Sequence, residues 1–153
     1  MLAITLPLLW ALLATMGFGL LFRAPLRDLP FAALGGALAW GAYMGMRAVS
    51  DSDAFSYFAA SIAVGLYAET LAGLLKRPAA LFILCSIIPL VPGGGMYYTM
   101  FYAVSGRAPE ASSALFATLS AAGAIAAGLA VASAIARIIW IKKPRPFFGG
   151  KKE

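Results

Sequence analysis

Histidine is missing from these 153 residues, cysteine occurs once, and only 12% of the side chains carry charge. Without histidine the chain lacks the usual catalytic base and the commonest metal ligand. The lone Cys85 lies in an apolar run and has no partner for an intramolecular disulfide, so it reads as a small packing residue. Soluble domains carry about 25% charged residues, so a chain with half that share leaves no soluble domain to build. Also missing are a G-x-S-x-G elbow, an H-E-x-x-H pair, a G-K-[ST] loop ending and a pair of intramembrane aspartates. These absences exclude the common enzyme classes, and neither a metal nor a cofactor is expected.

What is abundant is apolar sequence, at 62% of residues against about 45–50% in soluble domains. It falls in runs of near 20, the length that crosses a bilayer. The expected fold is an all-α integral membrane protein of about five transmembrane helices. Residues 1–141 would form one helical domain and residues 142–153 a basic cytoplasmic tail. The first run, residues 2–22, has no basic leader and no A-x-A site, which reads as a retained span rather than a cleaved signal.

Charge placement sets the topology. Arg23, Arg27, Lys76, Arg77, Arg137, Lys142, Lys143, Arg145, Lys151 and Lys152 sit near one set of span ends, and Arg47 and Arg107 near the other. Ten against two is a positive-inside pattern that puts the N-terminus outside and the C-terminus in the cytoplasm. Such a basic tail suits anionic lipid headgroups, and nucleic acid is not expected as a partner. A fourth segment that dips in and returns reduces the bias only modestly, so re-entry stays open.

Small residues recur at four-residue spacing. Ala37, Gly41 and Gly45 mark one face of the second span; Ser61, Gly65, Glu69 and Gly73 mark one face of the third; Ala124, Gly128, Ala132 and Ala136 mark the last helix. Such faces let helix backbones approach closely, which makes Gly41, Gly45, Gly65, Gly73 and Gly128 the packing candidates. Glu69 is the one carboxylate inside a hydrophobic run. A charge at bilayer depth costs at least about 2.5–3.5 kcal/mol, so Glu69 is a candidate for a coupling proton or a substrate ammonium group. A snorkelling carboxylate, or a pair with Lys76 or Arg77, is the structural alternative.

The fourth segment, residues 79–104, is interrupted by Pro89-Leu90-Val91-Pro92-Gly93-Gly94-Gly95. Prolines remove backbone donors and glycine costs about 1 kcal/mol against alanine in a helix, so a sequence needing only to span would avoid both. Freed backbone groups at this depth are tolerated when buried in protein or facing a watery cavity, as in the broken helices of secondary transporters. The substrate-binding candidates are therefore Ser86, Pro89, Pro92, Gly93, Gly94, Gly95, Tyr98, Thr99 and Tyr102. The tyrosines also fit an interfacial aromatic belt.

The R-x-P-x-R-x-L-P loop at residues 23–30, the A-V-G-L-Y-A-E stretch ending at Glu69, the K-R-P turn at 76–78 and I-I-P-L-V-P-G-G-G-M-Y-Y-T-M at 87–100 follow one another in an order that resembles the threonine/serine exporter family. More narrowly, the chain is similar to the short subunit of the split form, the counterpart of the C-terminal membrane half of single-chain exporters. The resemblance implies a bacterial inner-membrane protein that works with a larger partner subunit to export small amino acids, as a proton-driven antiport. It matches Glu69 and Pro89 to Thr99 to the family pattern without giving residue roles. A homo-oligomer is a further expectation, since five short spans cannot easily enclose a pathway. The rival readings are a non-transporting structural subunit and a passive channel.

Overall fold

The computed structural model describes residues 2–140, so the basic tail from Lys142 onward lies outside the described residues. Six α-helices follow one another: α1 Leu2–Leu21, α2 Leu29–Val49, α3 Asp53–Leu75, α4 Ala79–Ser86, α5 Gly93–Val104 and α6 Ala108–Trp140, with a 3-10 turn at Ile88–Leu90 between α4 and α5. The fold is all-helical, with no strand among the described residues. By length and composition α2, α3 and α6 are each able to cross a bilayer, and the bent pair α4 and α5 makes a fourth candidate. The apolar stretch Thr5–Leu21 of α1 is shorter.

The boundaries follow from local chemistry. Pro30 sits in the first turn of α2, where a missing N–H costs nothing. The Ser52 hydroxyl accepts the backbone N–H of Phe55 at 3.3 Å and caps α3. Lys76, at φ 53, turns left-handed to end α3, and Pro78 precedes α4. Pro109 likewise falls in the first turn of α6, which starts at Ala108.

Neighbouring helices touch through small residues. A methyl group at Gly36 would fall on the Thr15 side chain, and one at Gly35 on Ser86 and Tyr67. Those tight spots let the Ser86 hydroxyl reach the Ala32 carbonyl at 3.0 Å and the Tyr67 hydroxyl the Phe31 carbonyl at 2.8 Å. Between α3 and α6, a methyl at Gly65 would lie 2.6 Å from Cβ of Ala132, and one at Gly128 would lie 2.6 Å from the Phe58 carbonyl oxygen and 2.8 Å from Cβ of Ser61. Residues 61 and 65 thus meet 128 and 132, and the two helices run parallel.

Two small cores result. Ala24, Leu29, Ala32, Ala68, Ala72, Phe82 and Cys85 fill the end that carries the first and third loops. Ala39, Ala60, Val64 and Leu90 fill the middle. Large apolar side chains such as Leu9, Trp10, Leu13 and Leu21 lie exposed on the outside, the surface a bilayer would cover.

Segment four is a broken rod. Ala79 packs on the core beside Ala68 and Ala72, whereas Gly95 packs on Thr118 of α6. Ala108, four residues beyond the end of α5, lies 24 residues before the level of Gly65, about 36 Å along α6. The start of α4 and the end of α5 are therefore at opposite ends of the bundle. Between them the axis bends by 53°.

Candidate functional site

The bend is written into the residues. Pro89 has no N–H to give, so α4 stops at Ser86 and tightens into the 3-10 turn. Val91, placed before Pro92, is driven to ψ 125, out of helical space. At Gly93 the chain becomes helical again and α5 begins. The change of direction leaves a cleft of about 580 Å³ whose wall includes Pro89, Pro92, Gly93, Gly94, Gly95, Tyr98 and Tyr102. Seven residues singled out from sequence thus share one wall.

Glycine at 93 and 94 has no steric or conformational cause among the described residues. Neither has a positive φ, and a methyl added to either would meet nothing within 4 Å. Gly95 differs, because a methyl there would strike the Thr118 hydroxyl. The two unconstrained glycines are exposed at the cleft, with the backbone N–H groups of the first turn of α5 close by. The Gly93 N–H is taken by the Val91 carbonyl at 2.7 Å, which leaves the Gly94 and Gly95 N–H groups without an intrahelical acceptor and with partial positive charge.

Opposite the break stand residues that sequence reasoning did not pick. Trp40, Tyr43, Asp53 and Tyr57 line the same cleft. Ring centroids of Trp40 and Tyr43 are 5.3 Å apart, and those of Tyr43 and Tyr57 are 4.5 Å apart. The Tyr43 hydroxyl donates to Oδ1 of Asp53 at 3.2 Å, and the Arg47 Nε lies 3.0 Å from the same oxygen. A signal for this group existed: Tyr43 and Tyr57 lie at similar distances on either side of the Ser50 to Ser52 turn, and an antiparallel helix pair brings such residues level.

The second wall tyrosine is also tied to a cation. The Arg107 guanidinium lies 4.7 Å from the centre of the Tyr102 ring and donates to Oε1 of Glu110 at 2.8 and 2.9 Å. Tyr98 and Tyr102 stack at 6.1 Å, while Tyr97 packs on Tyr98 and Phe101 without lining the cleft. Arg47 and Arg107, the two cations at the sparsely charged end, are thus both attached to cleft residues.

The remaining candidates are elsewhere. Ser86 is buried against α2 and lines neither this cleft nor the apolar groove of about 680 Å³ between α5 and α6. Thr99 lines that groove and donates to the Gly95 carbonyl at 2.7 Å. Glu69 is half-buried on α3 and lines neither opening. It lies one turn beyond Gly65, level with Ala136 of α6, and about 24 Å along the helix from Asp53. Gly41 approaches Leu8 of α1, Gly73 is half-buried on α3, and Gly45 is exposed with nothing within 4 Å of an added methyl.

Set against known proteins, the family model described as Threonine/Serine exporter, ThrE matches residues 7–135. No solved structure matches the chain.

Proposed function

The chain belongs to the threonine/serine exporter family, a family of membrane transporters rather than enzymes, and from that premise we propose that the cleft at the broken fourth segment is this chain's part of an export pathway for threonine, serine or a similar small amino acid. The observation that carries the reading is Gly93 and Gly94. They are glycines that nothing among the described residues requires, placed at an open cleft beside the helix-start N–H groups of Gly94 and Gly95. A substrate carboxylate approaching those N–H groups would need the room that a side chain would take.

The fuller reading adds the points the family alone leaves open. Export is driven by the proton gradient as an antiport, with Glu69 as the coupling group. Its place away from the cleft suits a proton better than a substrate ammonium group. The chain crosses the bacterial inner membrane five times, N-terminus outside and C-terminus cytoplasmic, as one helical domain with a basic tail. It works with a larger subunit of the same family, which completes the pathway, and a second copy of this chain is the alternative neighbour. Arg23, Arg27, Lys76, Arg77 and Arg137 at one end and Arg47 and Arg107 at the other support the orientation.

Reconstitution tests this directly. Vesicles holding the chain with the larger subunit should move labelled threonine or serine when a pH gradient is imposed, and vesicles holding either alone should not. Full flux from this chain by itself would defeat the two-component reading, and flux indifferent to the gradient would favour a passive channel.

A further inference from the structure

We propose that Trp40, Tyr43, Tyr57 and Asp53 form a cage for the ammonium group of the transported amino acid, with Asp53 the residue that selects amino acids over simple carboxylates. The proposal rests on the reading of the cleft as the substrate pathway and goes one step further, to the chemistry by which that pathway chooses.

Three observations converge on it. First, the components of a cation site share one cleft: Trp40 and Tyr57 each pack on Tyr43, the Tyr43 hydroxyl bonds to Asp53, and all four line an opening large enough for a small amino acid. Ring faces and a carboxylate together attract an ammonium group, and the attraction grows as water is excluded. Trp40, Tyr43 and Tyr57 are half-buried. Rings serving only as an interfacial belt would be turned outward, as Trp10 is at 64% exposure.

Second, the carboxylate is held in place but not used up. Tyr43 and Arg47 both engage Oδ1 of Asp53. Oδ2 has no hydrogen bond or ion pair among the described residues, and the side chain is 63% exposed. Tyr43 belongs to both the aromatic group and the carboxylate's support, so ring and charge are fixed relative to each other.

Third, the charge of the cleft suits a zwitterion. Arg47 is balanced by Asp53, and Arg107, over Tyr102, is balanced by Glu110. A simple carboxylate would favour a net positive cleft. Here Oδ2 of Asp53, the oxygen that Arg47 does not engage, shares the cleft with the start of α5, where the N–H groups of Gly94 and Gly95 offer the positive pole. A ligand with both charges can satisfy both walls.

Serine and glycerate make the discriminating pair, because glycerate carries a hydroxyl where serine carries the ammonium group. The assay is export of labelled threonine by inside-out vesicles from cells that hold the chain with its native partners, competed by each compound. In the unmodified protein serine should compete at least tenfold better than glycerate. Asp53→Asn should bring the two to near equality through loss of serine competition, with glycerate unchanged, and Asp53→Glu should restore part of the difference. Retained flux with the original ratio in Asp53→Asn overturns the cage while leaving the transport reading standing. If Asp53→Asn abolishes flux, Asp53→Glu decides: a shifted ratio supports the cage and the original ratio overturns it. Threonine flux that does not depend on this chain at all defeats the transport reading, and the cage falls with it.

Discussion

Asp28 and Arg77 tie the first loop to the third: Nε of Arg77 lies 3.3 Å from Oδ2 of Asp28, with the carboxylate side chain 7% exposed and the guanidinium 47% exposed. The contact is electrostatic rather than a well-aligned hydrogen bond, since the buried Oδ2 has no hydrogen-bond partner. Asp28 also sits at the N-terminus of α2, where a negative charge is favourable, although its side chain makes no capping bond.

The two ends of this pair should respond unequally. Arg77→Gln leaves a buried carboxylate without its counter-charge, whereas Asp28→Asn removes the charge and leaves a half-solvated arginine. We expect Arg77→Gln to cost about 1–3 kcal/mol, below the range for fully buried pairs because water screens the guanidinium, and Asp28→Asn to cost less. Thermal unfolding of the purified variants in detergent checks the order. Equal losses would mean that the ion pair adds nothing beyond packing.

Glycine positions divide by what lies beside them. Gly128→Ala would push a methyl onto the Phe58 carbonyl, a backbone atom that cannot step aside, and overpacking of this kind costs about 1–3 kcal/mol. Gly123→Ala and Gly45→Ala meet open space and should leave stability unchanged or raise it by up to about 1 kcal/mol through helix propensity. Unfolding midpoints of the three variants provide the comparison. Gly45→Ala adds a second readout: if the face it marks receives another subunit, co-purification of that subunit falls while the chain's own stability holds.

The same reading of glycine shows what sequence could and could not reveal. A proline-rich, glycine-rich stretch within an apolar run marks a broken helix whatever surrounds it, so the break at Pro89 to Gly95 was legible. The face by which α2 packs was not. Four-residue spacing singled out Ala37, Gly41 and Gly45, yet Leu29, Ala32, Ala33, Gly35, Gly36 and Ala39 are the buried set. Both patterns fit a helix, and which one is covered depends on where Thr15, Tyr67 and Ser86 of three other segments arrive. Asp53 reads locally as part of the polar Ser50 to Asp53 turn that caps a helix. Its place beside Tyr43 and Tyr57 is decided by the pairing of α2 with α3, which no local pattern encodes.

Gly93, Gly94 and Gly95 are adjacent in sequence but should separate by experiment. Gly95→Ala collides with Thr118 and should lower the unfolding midpoint, by about 1–3 kcal/mol in stability. Gly94→Leu projects into open space, so the fold should survive, while threonine flux should fall by tenfold or more because the side chain occupies the cleft. Unfolding and flux measured on the same preparations distinguish the two. A Gly94→Leu variant with full flux would remove the observation on which the transport role of the cleft depends.

Glu69 is where the structural and functional accounts part most sharply. It shares a helix face with Gly65, which meets α6 at Ala132, so it is turned toward a packed neighbour and not toward the cleft. Were it a ligand for substrate ammonium, Glu69→Gln should weaken threonine binding, and competition by serine over glycerate should decline with it. As a proton carrier it should behave differently: the substitution would abolish flux driven by a pH gradient yet leave exchange of labelled for unlabelled threonine intact, because exchange needs no net proton movement. A third outcome, full gradient-driven flux in Glu69→Gln with normal assembly, would show that the half-buried carboxylate is structural. Gradient-driven flux and exchange, measured side by side in vesicles of the same variant, separate the three. We expect loss of the first and retention of the second, since the distance between Glu69 and the cleft allows coupling through the motion of α3 against α6 and not through a shared ligand.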